Sequence, residues 1–153
     1  MKADHETEMP VDVLLVENST GDVRLTQEAF LHSGRAVRLH LALDGVEAMA
    51  FLKREGIHAD APRPGLILLD LNLPRLDGRE VLAQIKSDEG LKAIPVIVLT
   101  TSEADEDILI SYRLQANCYL RRPAQWDAFD DLIKSINSFW FRRAKVAATN
   151  TKV

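Results

Sequence analysis

Five short apolar segments alternate along the chain with longer segments whose apolar residues recur every three or four positions. A short apolar run is typical of a buried β-strand, and the wider spacing is typical of one face of a helix. The pattern predicts strands at residues 11–16, 36–41, 65–69, 94–99 and 117–120. The first, third and fourth barely alternate, which favours the covered interior of a sheet, whereas the second and fifth are mixed and suit its edges.

The series of five strand–helix repeats predicts an α/β protein with a doubly wound (βα)5 parallel sheet and helices on both faces. Gly34, Gly56 and Gly90 follow the first three helical patterns, where glycine is typical of a helix end. Ser102 with Asp105 three residues later resembles a capping box, so we expect the fourth helix to open there.

The composition limits the class of protein. With 153 residues, 46% hydrophobic and 27% charged, the chain is expected to fold as one domain without a metal or a disulfide. Cys118 is the only cysteine and is interpreted as a small buried hydrophobe. No apolar run suits a membrane span or a signal peptide, so we expect a soluble cytoplasmic protein. The domain is predicted at residues 11–146, between flexible ends at 1–10 and 147–153.

The net charge of −4 divides unevenly along the chain. Residues 1–132 hold all 23 acidic side chains and 14 of the 19 basic ones, so the remaining residues carry only positive charges. Such asymmetry can mark a tail that binds nucleic acid or an acidic partner. Basic residues also complement the dipole at a helix end, and nothing else indicates nucleic-acid binding. We therefore expect no nucleic-acid partner and a protein interface instead.

Polar side chains stand at the carboxyl ends of four predicted strands, where open parallel sheets bind their ligands. In chain order they are Glu17 and Asn18, Asp70, Thr100 and Thr101, and Arg121 and Arg122. Two carboxylates, an amide, a hydroxyl and a guanidinium are therefore expected to meet at one edge of the sheet.

Missing motifs exclude several other chemistries at this edge. The chain has no glycine-rich dinucleotide signature, no P-loop and no G-x-S-x-G, and none of its four histidines follows a predicted strand. The remaining donors suit transient phosphorylation, with Asp70 as a nucleophile toward phosphorus. Oxygen ligands around Asp70 suit Mg²⁺, and the Thr100 hydroxyl and the Arg122 cation suit phosphoryl oxygens.

Four motifs in order along the chain resemble the receiver domain of bacterial response regulators. They are VLLVEN at 13–18, LILLDLNLPRLDG at 66–78, IPVIVLTTS at 94–102 and NCYLRRP at 117–123. The resemblance spans residues 11–139. Two further segments, GDVRLTQEAF at 21–30 and SINSFWF at 135–141, are similar to single-domain regulators paired with bacterial phytochrome histidine kinases.

The resemblance implies a flavodoxin-like fold with strand order 2-1-3-4-5 and a place in a two-component phosphorelay. The implied partner is a sensor histidine kinase of the phytochrome type. The implied activity is that of a phosphoacceptor with at most slow self-dephosphorylation, and not that of an enzyme.

The resemblance also implies a metal site. Asp70 matches the phosphoacceptor, Glu17 and Asn18 match the acidic pair that binds Mg²⁺ with it, and the backbone carbonyl of Asn72 matches a further ligand. The family has Asp where this chain has Asn18. An amide oxygen can bind a metal but brings no charge, and one unit charge at ~4 Å is worth on the order of 4 kcal/mol at an effective dielectric of 20. We therefore expect Mg²⁺ to bind weakly.

Thr100 and Tyr119 match the switch hydroxyl and the switch aromatic of the family, and Arg122 matches its lysine. The bond that follows this position, here to Pro123, is usually cis in the family. Arginine is longer and forked, so it can pair with Asp70 in a bidentate manner and occupy the place of the phosphoryl group, or it can hold the phosphoryl oxygens. The sequence leaves both possibilities open.

Two alternatives to a phosphorylated receiver remain. Asn18 and Arg122 leave open a degenerate receiver that binds partners or dimerises with little or no phosphorylation. A phosphatase of the haloacid dehalogenase type also uses a strand-end aspartate, but its second acid would be Asn72, which cannot donate a proton in that role. The chain also has no room for a cap domain, so this alternative is remote.

The last helix is predicted from Trp126 to about Lys145. Its aromatic residues Phe139, Trp140 and Phe141 are consecutive, and successive helical residues point about 100° apart. They cannot all face the core, so at least one is expected to be exposed. Because the similar phytochrome-linked regulators form homodimers through this region, the three aromatics are the expected dimer interface.

Overall fold

The structure is a computed structural model that describes residues 10–34, 36–102 and 104–143. Its strands are β1 (Val11–Val16), β2 (Val37–Ala42), β3 (Leu66–Leu69), β4 (Val96–Thr100) and β5 (Cys118–Arg121). Its α-helices are α1 (Thr20–His32), α2 (Gly45–Leu52), α3 (Gly78–Ser87), α4 (Asp105–Arg113) and α5 (Trp126–Ile136). The predicted strand ends are right to within two residues. The largest difference is at β4, which begins after Pro95, a residue with no N–H to donate to the ladder.

The five strands form one parallel sheet in the order β2-β1-β3-β4-β5. This order confirms the predicted doubly wound fold and places the two mixed strands at the edges. The chain reverses its direction of travel across the sheet between β1 and β3. A crevice for ligands is expected at the carboxyl ends of these two strands.

The central strands are buried on both faces by helices. On one face Leu14 and Ile67 belong to a cluster with the inner sides of α2 and α3, and on the other face Val13 and Leu66 pack under α1 and α5. All four side chains have no exposed surface. Fully burying such side chains contributes roughly 1.5–3 kcal/mol each, so the sheet is a rigid base for the loops at its carboxyl edge.

The predicted capping box at Ser102 is wrong. Helix α4 begins at Asp105 after Ala104, and no side chain caps its first turn. The Ser102 hydroxyl instead donates to Asp107 Oδ2 at 2.7 Å and accepts from the Ala104 N–H at 3.2 Å. The serine therefore orders the loop before the helix, because its hydroxyl is already committed to Asp107.

The end of the chain differs from the long helix predicted to about Lys145. The α-helix ends at Ile136, and Asn137–Arg143 continue as a wider π-helix. Asn137 is buried and its side-chain amide donates to the Ser33 carbonyl at 3.1 Å, which ties this end to α1. Lys145 lies outside the described residues, as do residues 1–9 of the predicted flexible start and the whole of the predicted tail at 147–153.

No helix within the described ranges has the length and apolar character that crossing a membrane requires.

Candidate functional site

Side chains from three strand ends converge at the carboxyl edge of the sheet. The ladder continues past the strands, because the Asp70 N–H donates to the Val16 carbonyl at 3.0 Å and the Arg122 N–H donates to the Thr100 carbonyl at 2.7 Å. Glu17 follows Val16 directly. These backbone bonds fix Glu17, Asp70 and Thr100 close together at the crevice between β1 and β3, as the sequence predicts.

Asp70 is held through one carboxylate oxygen. Its Oδ1 accepts from the Thr100 hydroxyl at 2.9 Å and from the Asn72 N–H at 3.3 Å. The loop beyond it is packed closely, because a Cβ atom on Gly78 would overlap the Asp70 carbonyl oxygen and lie 2.5 Å from Leu71 Cα. The start of α3 can therefore approach the aspartate only with glycine at this position.

Glu17 is the second carboxylate of the site and is 4% exposed. Its Oε2 accepts from the Ser19 N–H at 3.2 Å. Burial and the negative charge of Asp70 raise the pKa of Glu17 to about 7, against an opposing effect of the Ser19 hydrogen bond and the Arg122 charge. Burial disfavours the charged form of a carboxyl group, and a second carboxylate nearby disfavours it further.

The donor set fits a hard divalent cation. Two carboxylate groups, Glu17 and Asp70, lie beside Asn18, whose side-chain nitrogen donates to the Leu43 carbonyl at 3.1 Å and so leaves its amide oxygen as the ligating atom. Such oxygen donors suit Mg²⁺ or Mn²⁺. No group of three His, Cys, Asp or Glu side chains arranged for a metal exists in the part of the chain that the structure describes.

Arg122 is buried, but its guanidinium faces α1 and not Asp70. Its Nη2 donates to the Asp22 carbonyl at 3.0 Å and to the Thr26 hydroxyl at 3.2 Å, and its Cζ lies 4.3 Å from the centre of the Phe129 ring. Its Nη1 lies 3.9 Å from Glu17 Oε1. Among the described residues the structure shows no ion pair between Arg122 and Asp70, so the bidentate pair that the sequence left open is absent.

The bond that follows Arg122 also differs from the implied form. The peptide bond between Arg122 and Pro123 is trans.

A family model and two sets of known proteins match this chain. The model of the response regulator receiver domain matches residues 13–137. The chain belongs to the response regulator receiver family. A curated relative, the response regulator Rcp1 of Synechocystis sp. strain PCC 6803, is 46% identical over 143 residues, which are 94% of this chain and 97% of Rcp1.

Two solved receiver structures are similar over most of the chain. The Mn²⁺-bound form of Rcp1 is 47% identical with a TM-score of 0.86, over 91% of this chain and 100% of that one. The phosphorylated cyanobacterial phytochrome response regulator RcpA is 47% identical with a TM-score of 0.88, over 92% of this chain and 100% of that one. These matches support a phosphoacceptor role and do not favour the degenerate or the phosphatase alternative.

Tyr119 of this receiver contacts the loop after β4. Its hydroxyl donates to the Ser102 carbonyl at 2.9 Å, and Ser102 in turn donates to Asp107. Arg79 on α3 donates to Asp107 Oδ1 through Nη2 at 2.6 Å. The predicted switch residues Thr100 and Tyr119 are thus connected through the same loop, one at its start and one along its backbone.

Four residues near the site were not predicted to take part in it. They are Arg79, Asp107, Thr26 and Phe129. Nothing in the sequence indicates the Arg79–Asp107 pair, because its members are 28 residues apart. Thr26 could have been found from the sequence, because it is a polar residue on the buried face of α1, whose other buried residues are apolar. Phe129 is also part of the core, where its side chain is 2% exposed.

The structure describes the side chains of two of the three aromatics that are predicted as an interface. Phe139 is 53% exposed, whereas Trp140 packs against the α1 and α5 side of the core. Their rings are 5.3 Å apart in a T-shaped arrangement. The side chain of Phe141 lies outside the described residues. The expectation that at least one of the three faces solvent is confirmed by Phe139.

Proposed function

We propose that this receiver takes a phosphoryl group onto Asp70 from a histidine kinase and signals through protein contacts. The observation that carries the proposal is the geometry of Asp70, whose Oδ1 is fixed by Thr100 and by the Asn72 N–H beside the buried Glu17. With Oδ1 occupied, Oδ2 is the nucleophile. It forms a bond to phosphorus as the phosphorus–nitrogen bond of a phosphohistidine breaks, and the leaving imidazole keeps the electron pair and takes up a proton.

The neighbours of Asp70 position and neutralise the phosphoryl group. Phosphoryl transfer requires mainly orientation and charge stabilisation from a protein. The Thr100 hydroxyl can move its hydrogen bond from Oδ1 to a phosphoryl oxygen, and the Arg122 cation supplies positive charge at the same edge. Glu17, Asn18, Asp70 and the backbone carbonyl of Asn72 would hold Mg²⁺, which supplies positive charge to the reacting oxygens when bound.

Weak metal binding is part of the proposal. With every group counted as ionised, Glu17 and Asp70 against Arg122 give the metal-free pocket a formal charge of −1, where the family pattern gives −2. Less negative charge means weaker attraction for Mg²⁺. Slow self-dephosphorylation is the only turnover that we propose for this site.

Thr100 and Tyr119 form the proposed switch. In this structure Thr100 bonds Asp70 and Tyr119 bonds the backbone of Ser102. A phosphoryl group that draws the Thr100 hydroxyl would move the start of the loop that Tyr119 holds. Phosphorylation would then shift the population of the α4–β5 surface between two arrangements.

The proposed partners are a phytochrome-type histidine kinase and a second copy of this chain, in the cytoplasm. The kinase is supported by RcpA, which is described as a cyanobacterial phytochrome response regulator. The homodimer is supported by Phe139, which is exposed, and by its neighbour Trp140, which packs against the core. We propose no nucleic-acid partner and no membrane contact.

The central experiment is labelling with acetyl phosphate and a magnesium salt, followed by intact-mass measurement. Wild type is expected to gain the mass of one phosphoryl group and Asp70→Asn to gain none. Asp131→Asn, which changes an exposed aspartate on α5, is the matched control and should label as wild type does. Wild type that stays unlabelled while a second receiver in the same tube is labelled would support the degenerate alternative.

A further inference from the structure

The Arg122 guanidinium is enclosed on three sides by residues outside the phosphoacceptor pocket. The Asp22 carbonyl and the Thr26 hydroxyl bind Nη2, and the Phe129 ring lies against the flat face at 4.3 Å. Arg122 is 6% exposed, and Phe129 is 2% exposed. Its Nε also lies 3.6 Å from Asp22 Oδ1. Contacts with α1 and α5 therefore hold the arginine in this orientation.

One nitrogen of this guanidinium, Nη1, lies close to Glu17 of the phosphoacceptor pocket. Nη1 is buried, lacks a hydrogen-bond partner among the described residues, and lies 3.9 Å from Glu17 Oε1. A buried donor without a partner is costly, and such groups are often kept for a role in a site. The unpartnered Nη1 thus lies beside Glu17, one of the two carboxylates of the site.

Thr26 supplies a side-chain hydroxyl that accepts a hydrogen bond from this guanidinium. It has no exposed surface, and its hydroxyl donates to the Asp22 carbonyl at 2.8 Å while accepting from Arg122 Nη2. Both hydrogen-bonding functions of the hydroxyl are thus used. An apolar side chain of the same shape would leave Nη2 with the Asp22 carbonyl alone.

We propose that Thr26 is a positioning residue of the phosphotransfer site, which anchors Arg122 so that Nη1 faces Glu17 and the guanidinium does not pair with Asp70. This inference rests on the proposed function. An arginine at this position is long enough to form a bidentate pair with a carboxylate. The hydrogen bond from Thr26 on α1 keeps the guanidinium away from the Asp70 carboxylate. An arginine can therefore occupy the position at which the family has lysine.

The test compares the initial rate of labelling by acetyl phosphate in Thr26→Val, Thr26→Ser and Ser111→Ala. Thr26→Val is expected to label about tenfold more slowly, because a hydrogen bond to a charged group is lost. Thr26→Ser retains the hydroxyl and is expected to label as wild type does. Ser111 is also fully buried, and its hydroxyl also donates to the carbonyl four residues earlier, so Ser111→Ala controls for lost stability.

A second comparison separates positioning from general damage. In the Arg122→Lys background, which has no Nη2 to anchor, Thr26→Val is expected to leave the labelling rate unchanged. The inference would be overturned by a wild-type rate in Thr26→Val, by the same loss in the Arg122→Lys background, or by an equal loss in Ser111→Ala. Failure of Thr26→Ser to restore the rate would also overturn it.

A measurement without phosphorylation keeps the two proposals apart. If wild type is not labelled at all, the proposed function fails, and the anchor is then tested by calorimetric titration with Mn²⁺. A released guanidinium that pairs with Asp70 competes with the metal, so Thr26→Val is expected to bind Mn²⁺ about threefold or more weakly than Ser111→Ala. Equal affinities in the two variants would overturn the positioning role.

Discussion

At the scale of single residues, Asn18 and Arg122 set the charge of the phosphoacceptor pocket. Asn18 removes a negative charge next to Glu17, whose pKa is nevertheless raised to about 7 by burial and by Asp70. Arg122 places its guanidinium beside Glu17 and α1, so its charge acts on the pocket from one side. Only Asn18 makes the metal-free site less negative than the family pattern, because Arg122 and the family's lysine carry the same charge.

The first prediction restores the missing carboxylate. Asn18→Asp is expected to raise the affinity for Mn²⁺ or Mg²⁺ by about tenfold, because it adds a negative charge beside the cation. Solvent reduces the effect below the upper Coulomb energy of about 4 kcal/mol for one charge. Without metal the variant is expected to lose about 1 kcal/mol of unfolding free energy, because the Leu43 carbonyl loses its donor. Calorimetric titration and urea unfolding measure the two effects.

Gln27→Glu is the control for the change in net charge, because Gln27 is exposed on α1. It should leave metal affinity unchanged. Equal affinities in Asn18→Asp and wild type would show that position 18 does not ligate the metal.

At the scale of elements, the edge strand β2 is joined to β1 by ion pairs as well as by backbone hydrogen bonds. Asp12 is 1% exposed and accepts from Arg38 Nε at 2.8 Å and Nη2 at 3.1 Å, and His40 Nε2 lies 2.9 Å from its Oδ1. The Arg38 hydrogen bond and the His40 contact hold the pKa of Asp12 below its usual 3.8, against the opposing effect of burial. The ionised carboxylate therefore stabilises the edge of the sheet.

The second prediction concerns acid stability. Because the pKa of Asp12 is lower in the folded state than in the unfolded state, its contribution is complete above 3.8 and is lost as the pH falls through the folded value. Asp12→Asn is expected to lower the unfolding free energy by about 1–3 kcal/mol near neutral pH. It is also expected to reduce the loss of stability that wild type shows between about pH 5 and pH 3.

Urea unfolding at both pH values measures this effect. Asp60→Asn, on the exposed loop before β3, is the control and should retain the wild-type dependence. An identical loss of stability on acidification in Asp12→Asn and wild type would contradict the prediction.

At the scale of the whole molecule, the phosphoacceptor edge and the aromatic end are connected through α1 and α5. Arg122 contacts Phe129 on α5, and the same apolar cluster contains Phe129, Ile136 and, at its margin, Trp140. Asn137 adds a hydrogen bond from the end of α5 to Ser33. The segment that holds the exposed Phe139 is therefore connected to the phosphoacceptor site by continuous packing through α1 and α5.

The third prediction concerns the proposed homodimer. Phe139→Ala is expected to shift the solution mass toward the monomer without lowering the melting temperature, because Phe139 is 53% exposed. Trp140→Ala is expected to lower the unfolding free energy by roughly 2 kcal/mol, since Trp140 packs against the core. Chromatography with light scattering and thermal unfolding measure the two effects.

Ile57→Ala is the matched control, since Ile57 is 93% exposed on the turn Gly56–His58. It should leave the mass unchanged. A dimer that persists in Phe139→Ala would remove this side chain from the interface.

The sequence by itself determined the fold and the members of the site. Buried strands and amphipathic helices have different apolar periods, so the five repeats could be predicted from the pattern. The order of the strands was implied by the resemblance to receiver domains. In a parallel sheet the residues after each strand share one edge, which is why Glu17, Asp70 and Thr100 were identified together. These features depend on local pattern and topology alone.

The tertiary structure alone decided what Arg122 does. A long side chain with many rotamers chooses its partners by what surrounds it, and the partners here, Asp22 and Thr26, are 100 and 96 residues earlier in the chain. The same holds for the last segment, where helical spacing predicted one helix but the buried Asn137 and its bond to Ser33 accompany a π-helix. Packing between distant elements selected one arrangement from several that the local sequence allowed.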